Sequence, residues 1–119
     1  MMDERLTPQE KIRKKREFLT LYRTGSRYRG RYFHLVYCAN SLEHSRLAVV
    51  VGKKVGNAVT RNRIKRRIRE LFRRNKSLFK KPMDVVLIAK KEILDLSVSD
   101  LAAEFFSALA TIFRERPAQ

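Results

Sequence analysis

The sequence predicts an α/β sandwich of the α+β class, and three observations carry that prediction. Residues 31–38 place their apolar residues at period two, 46–51 form a β-branched run and 85–89 are apolar without a break, the signatures of half-buried and fully buried strands. Three other stretches, in the first quarter, the middle and the last fifth of the chain, space their apolar residues three and four apart, as helices do. The 119 residues contain no Pro/Gly/Ser-rich linker and no internal repeat, which leaves a single domain with one order of elements: helix, strands, helix, strand, helix.

The first helix is expected to begin at "TPQE", with Thr7 as N-cap, Pro8 in the first turn and Glu10 three residues on from Thr7. It should run to about Arg23 and stop before Gly25, with Phe18 and Tyr22 on one face and Leu21 beside them. Its first part, "KIRKKR", is too charged to pack deeply. From Ser26 the period changes to two. In "RYFHLVYC" Phe33, Leu35 and Tyr37 share one face and Tyr32, His34, Val36 and Cys38 the other. "ANSLEHS" is a polar turn, and the β-branched "RLAVVV" (Arg46–Val51) follows, so these two strands are expected to form an antiparallel pair. "GKKVGN" ends the strand and leads into the second helix. Pro82 in "KKPMD" breaks structure again before "VVLIA", a strand buried on both faces. Ser97 and Ser99 are N-cap candidates for the last helix, whose core face is Leu101, Phe105, Leu109, Ile112 and Phe113.

The charge points outward from this core to a partner. Twenty-eight Lys and Arg face twelve Asp and Glu, a net of +16, and the excess is lopsided. Residues 1–81 carry 24 basic and 6 acidic side chains, while residues 82–119 carry 4 and 6. Clustered repulsion of this size destabilises a compact chain, so a polyanion is its natural counterpart. The N-terminus has no apolar run that would make a signal peptide, and no stretch reaches the length of a membrane span. The lone cysteine, Cys38, excludes an internal disulfide, suits a reducing cytoplasm, and reads as a small buried apolar residue of a strand.

Most of the charge lies in "GNAVTRNRIKRRIRELFRR" (Gly56–Arg74), where eight Arg and Lys stand against Glu70 alone. At roughly 100° per residue, Ile64, Ile68, Leu71 and Phe72 form one stripe. Asn62, Arg66, Arg69 and Arg73 lie opposite it; Arg63, Lys65, Arg67 and Arg74 flank it. Arg61 projects toward the apolar side and is expected to reach past the core into a neighbouring groove. Arginine outnumbers lysine, which suits bidentate gripping of phosphate. A membrane-surface helix would lack the flanking strands, a merely solvated face would interleave acids, and a major-groove reader would need more uncharged base-reading side chains than Asn62. Binding to a nucleic-acid backbone is the reading that remains. Glu70 is expected to pair with Arg66 or Arg74.

Catalytic constellations are missing from the sequence. His34 and His44 are ten residues apart with no motif, the acids are scattered, and there is no P-loop, GxSxG or cysteine pair. A basic ribosomal-type protein or RNA chaperone fits the composition as well as any enzyme subunit does; a self-sufficient nuclease fits it poorly.

"KKVGNAVTRNRIKRRIRE" (Lys53–Glu70) resembles the signature helix of the bacterial ribonuclease P protein subunit, with its Arg-Asn-Arg core at Arg61–Arg63. "RKKREFLTLYRTG", "RYFHL", "RLAVVVGKK" and "DVVLIAKK" follow that family's order and spacing, so the resemblance covers nearly the whole chain. It implies one domain over residues 1–119, with about seven residues at the start and about five at the end expected to be flexible. The implied order is α-β-β-β-α-β-α, in a small mixed sheet with a left-handed β-α-β crossover that contains the basic helix, similar to the second domain of a small-subunit ribosomal protein. The implied function is removal of the 5′-leader of precursor tRNA by a catalytic RNA that holds Mg²⁺, with this chain as accessory subunit, binding no metal tightly by itself. A cytoplasmic holoenzyme of one protein and one RNA is expected.

Two binding surfaces follow from the resemblance. Lys53, Lys54, Asn57, Arg61, Asn62, Arg63, Lys65, Arg66 and Arg69 would contact the catalytic RNA. Phe18, Tyr22, Arg31, His34, Val36, Ala48 and Val50 would line a cleft for the single-stranded leader, with the two aromatics as stacking platforms. No catalytic residue is implied. Some relatives carry an aromatic where Val36 stands, and Tyr32, expected on the same face, is a candidate substitute.

Overall fold

The computed structural model describes residues 8–12 and 14–114, and the expectations for both chain ends and for a Thr7 cap fall outside them. Three helices, α1 (Lys15–Thr24), α2 (Ala58–Arg74) and α3 (Val98–Arg114), pack on a sheet of β1 (Ser26–Arg29), β2 (Phe33–Ala39), β3 (Arg46–Val51) and β4 (Met83–Ala89). The strand order is β1-β2-β4-β3. The first two pairings are antiparallel and β3–β4 is parallel, with α2 in the crossover between them, so the sheet is mixed. The order of elements matches the sequence expectation; one pairing does not.

β2 and β3 are not neighbours. β4 lies between them, Val36 opposite Val86 on one side and Val86 opposite Ala48 on the other. The reason is hydrophobic: Val85, Val86 and Leu87 are the most continuously apolar strand residues, and only a central position between two helix layers buries them all.

Alternation along the strands makes two cores. Phe33, Leu35, Leu47, Val51, Val85 and Leu87 face α2 and α3, meeting Ile64, Ile68 and Phe72 from one and Leu101, Phe105, Leu109 and Ile112 from the other. Val36 and Val86 face the opposite way, toward Ile12 and Leu21, with Phe18, Ala48, Val50 and Ile88 at the margin. The predicted stripe of α2 is therefore its buried face, Leu71 included at the edge. Ser97, of the two candidates, caps α3: its Oγ accepts from the Asp100 N–H at 3.1 Å.

The N-terminal helix begins later than its sequence suggests. Pro8–Glu10 form a single 3-10 turn, after which Lys11 and Ile12 run extended beside Leu47; the Ile12 N–H donates to the Leu47 carbonyl at 3.1 Å. Burying Ile12 against the sheet and Glu10 in an ion pair with Lys76 outweighs joining the 3-10 turn to α1 as one continuous helix. α1 does stop at Gly25, whose backbone passes so close to the sheet that a Cβ would lie 3.0 Å from the Tyr37 carbonyl oxygen.

Two face assignments are corrected. Tyr32 precedes β2, outside its alternation, and packs with the α2/α3 core, so it cannot substitute in a cleft on the other side. Cys38 is exposed near the end of β2, not buried; partial desolvation and the nearby Asp84 carboxylate raise its thiol pKa against a smaller opposing pull from Arg46.

Candidate nucleic-acid interface

The basic surface is built by the loop after β3 and the outer side of α2. Asn57 starts the helix as its N-cap, Oδ1 accepting from the Thr60 N–H at 2.9 Å. Its carbonyl-type oxygen is thereby committed to the fold, leaving the amide N–H groups for a ligand. Lys53 and Lys54 are exposed in the preceding turn, closed by the Val55 N–H to the Gly52 carbonyl at 3.1 Å over a buried Val55. Along the helix Asn62, Arg63, Arg66 and Arg67 are exposed; Arg61, Lys65 and Arg69 are half-buried. Among the described residues Arg61, Arg63, Arg66 and Arg69 have no carboxylate partner. Glu70 instead binds the last turn, Arg73 at 3.0 Å and Arg74 at 2.5 Å, so Arg73 lies down on the helix. One acid thus engages both arginines of the last turn and leaves the cations of the earlier turns without a carboxylate among the described residues.

The second surface lies on the opposite side of the sheet, beside α1. The pairing puts Arg29, His34, Ile88 and Val50 in one row across the strands and Arg27, Val36, Val86 and Ala48 in the next. α1 buries Val36 and Val86 through Leu21, while His34, Ile88, Val50 and Ala48 are only partly covered. Phe18 and Tyr22 form a wall along this floor with their rings nearly parallel, 7° between planes and 6.2 Å between centroids. Phe18 is half-buried against the floor and Tyr22 is 44% exposed, so Tyr22 is no core residue.

His34 sits where the positive field converges. Its Nδ1 is buried with no hydrogen-bond partner, and its pKa is pushed down, first by desolvation and then by Lys90, Arg29 and Arg27. The ring is therefore neutral at pH 7, a donor or acceptor and not a fixed cation. Arg31 lies apart from the floor, in the β1–β2 turn with its guanidinium 5.5 Å from the Tyr32 ring centroid. His44 belongs to the fold: its Nε2 donates to the Gln9 carbonyl at 2.7 Å and ties the 40s turn to the N-terminal segment.

The sequence patterns omit Ile88, Val86, Arg27 and Arg29 from the floor. A strand apolar throughout gives no sign of which residue faces a groove, and a four-residue edge strand shows too little alternation to orient its arginines. Only the register across three strands assigns them.

Among the described residues no three His, Cys, Asp or Glu come together as a group that could hold a metal ion. No helix among them is long and apolar enough to cross a membrane. A sheet with an uncompensated arginine helix on one side and an aromatic-walled groove on the other has the chemistry of an RNA-binding domain, since guanidiniums suit phosphates and open aromatic faces suit unpaired bases.

Comparison with known proteins agrees with that class and narrows it. The Ribonuclease P family model matches residues 6–112. The ribonuclease P protein component of Syntrophus aciditrophicus is 46% identical over 99 residues, 83% of each chain. A Staphylococcus aureus RNase P protein mutant superposes with a TM-score of 0.81 at 33% identity, covering 87% of this chain and 88% of that one. The Thermotoga maritima RNase P protein does so at 0.79 and 32%, covering 91% and 99%. The chain belongs to the ribonuclease P protein family and is a protein subunit of that tRNA-processing ribonuclease, whose partner is the RNase P RNA.

Proposed function

We propose that this subunit is not itself the catalyst and that the RNase P RNA cleaves the phosphodiester joining the 5′-leader to tRNA, using Mg²⁺ held mainly by RNA. The outer face of α2 and the Lys53–Lys54 turn grip structured RNA by its phosphates, and the α1–sheet cleft takes the single-stranded leader, which broadens the range of substrates. One protein and one RNA form the cytoplasmic holoenzyme. The observation that carries this reading is the separation of chemistries: a dense phosphate-binding helix and an aromatic groove on opposite faces, with no metal-ligand cluster among the described residues.

The test is a cleavage assay on precursor tRNA at limiting Mg²⁺, with chain alone, RNA alone and both together. The chain alone should release no leader, and it should stimulate the RNA. Leader removal by rigorously RNA-free protein would overturn the assignment of catalysis.

A further inference from the structure

The edge strand β1 carries two arginines to which no sequence pattern gave a role. Arg27 and Arg29 lie on the cleft side of the sheet, opposite Val36 and His34 in register. Both are exposed, and neither has a carboxylate partner among the described residues. Lys90 continues the same row-wise alternation two residues beyond Ile88, its N–H bonded to the Tyr32 carbonyl at 3.0 Å. The β1 end of the cleft is thus cationic, with no carboxylate paired to either arginine among the described residues.

Arg27 is held in place. Its Nη2 donates to the Tyr22 carbonyl oxygen at 2.5 Å, and its guanidinium carbon lies 4.9 Å from the Tyr22 ring centroid. Tyr22 in turn lies nearly parallel to Phe18. A guanidinium fixed over a ring keeps its plane and loses only one of its N–H donors here, so the rest of the fork remains available to an anion. A planar, oriented fork is the geometry that takes two phosphate oxygens at once.

We infer that Arg27 and Arg29 form a phosphate-binding rim along β1, with Arg27 held as the third rung of a Phe18–Tyr22–Arg27 stack. Single-stranded RNA in the cleft lays its backbone on this rim and turns its bases toward the aromatic wall. The inference rests on the reading that a single strand occupies the cleft, and it alters the role of Tyr22. With Arg27 over its ring, Tyr22 acts in part as a positioning residue for the cation, while Phe18, half-buried beside it, is left to stack on a base.

The experiment uses holoenzyme reconstituted from the full chain and RNase P RNA, binding a precursor tRNA with a single-stranded leader and the same tRNA without it, over a salt series. Arg27→Ala and Arg29→Ala should each weaken leader-bearing substrate about tenfold, the scale of a charged hydrogen bond, and leave leaderless tRNA unchanged. Each should flatten the log–log salt slope by about 0.7, one single-strand phosphate contact. Arg27→Lys should recover slope more than affinity, because an ammonium lacks the fork. Tyr22→Ala combined with Arg27→Ala should cost less than the product of the two single losses; Phe18→Ala combined with Arg27→Ala should multiply.

Arginine variants that bind leader like the wild type, or that lose both RNAs equally, would overturn the rim. Phe18→Ala separates this from the underlying reading. If it abolishes leader preference while both arginine variants keep it, the rim fails and the cleft stands; if it too leaves the preference intact, the cleft reading fails. Should Arg27→Ala prove unstable, Arg29→Ala decides the rim by itself, since among the described residues Arg29 has no ion pair to lose and only a repulsion toward a protonated His34.

Discussion

The Arg46 guanidinium grips the Asp84 carboxylate with two hydrogen bonds, Nε to Oδ1 at 2.9 Å and Nη2 to Oδ2 at 2.7 Å, and reaches Glu17 Oε1 with a third at 3.2 Å. Arg46 opens β3, Asp84 sits on β4 and Glu17 lies on α1, so one side chain bolts the parallel strand pair to the helix that walls the cleft. Asn40 adds a fourth bond, Nδ2 to Asp84 Oδ1 at 2.8 Å. These bonds favour the charged guanidinium and raise its pKa further above an already high value, so the pair does not come apart by arginine titration. Asp84→Ala should cost about 2–3 kcal/mol in urea unfolding, because it removes the two-bond grip on a cation whose side chain is only 16% exposed and leaves it the single bond to Glu17. Arg46→Lys should recover little of an Arg46→Ala loss, since an ammonium cannot make the fork. Full recovery by lysine would mean that charge alone holds this corner.

Acid should loosen the fold through His34. Its folded-state pKa lies below the ordinary 6.5 of the unfolded chain, because desolvation and then Lys90, Arg29 and Arg27 all oppose the imidazolium. The unfolded chain therefore takes up the proton first as pH falls. The stability contributed by neutral His34 is complete above pH 6.5 and is lost below it, until the folded ring titrates too. Unfolding free energy measured from pH 7.5 to 5 should decline across that window, and His34→Gln should flatten the decline. An unchanged profile in the variant would place the acid sensitivity elsewhere.

What the sequence made legible divides along physical lines. Ile64, Ile68 and Phe72 were readable as a buried stripe because helix periodicity is local, and the same holds for Leu101, Phe105 and Leu109. Period two likewise sorted Phe33 from His34. It says which face a residue takes but not which strand lies beside it, and hence β2 and β3 seemed adjacent when β4 separates them. Tyr32 misled for a related reason: alternation holds only inside a strand, and β2 begins at Phe33. That Phe18 and Tyr22 share a face was legible from their four-residue spacing, and a place in a cleft wall only from the family resemblance, whereas Arg27 and Arg29 acquire meaning only through their partners Val36 and His34. Glu10 shows the limit most plainly. Its burial beside Lys76 depends on a contact between residues 66 positions apart, which no local pattern encodes.

Phe18 can be tested without disturbing its packing. It is half-buried against the Val36–Val86 cluster, so Phe18→Ala would mix a lost platform with a cavity. Phe18→Leu fills most of that space with an aliphatic chain that offers no π face. The variant should melt near the wild type yet lose about 1–3 kcal/mol of preference for leader-bearing over leaderless tRNA, the scale of one base–aromatic stack. A variant that melts normally and keeps its leader preference would return Phe18 to the core.

The two faces of α2 should separate stability from RNA binding. Ile68 is fully buried between the sheet and α3, so Ile68→Ala should cost about 2–5 kcal/mol of folding free energy. Arg66 and Arg69 stand among like charges, without a carboxylate partner among the described residues. Replacing either with Ala removes repulsion and little packing, so stability should hold or rise slightly. RNA binding should respond in the opposite sense. Each arginine that holds a phosphate of structured RNA releases counterions, and its loss should flatten the log–log salt dependence of RNase P RNA binding by up to about 0.9. Arg73 provides the internal control: it shares the helix and the charge but is tied to Glu70 at 3.0 Å, so Arg73→Ala should move the melting temperature more and the salt slope less. The measurement is a melting curve beside a salt titration for each variant. If Arg66→Ala and Arg69→Ala unfold the protein while Arg73→Ala alone changes the slope, the helix meets RNA with its C-terminal turn, and the phosphate contact lies one to two turns further along the helix than the one described.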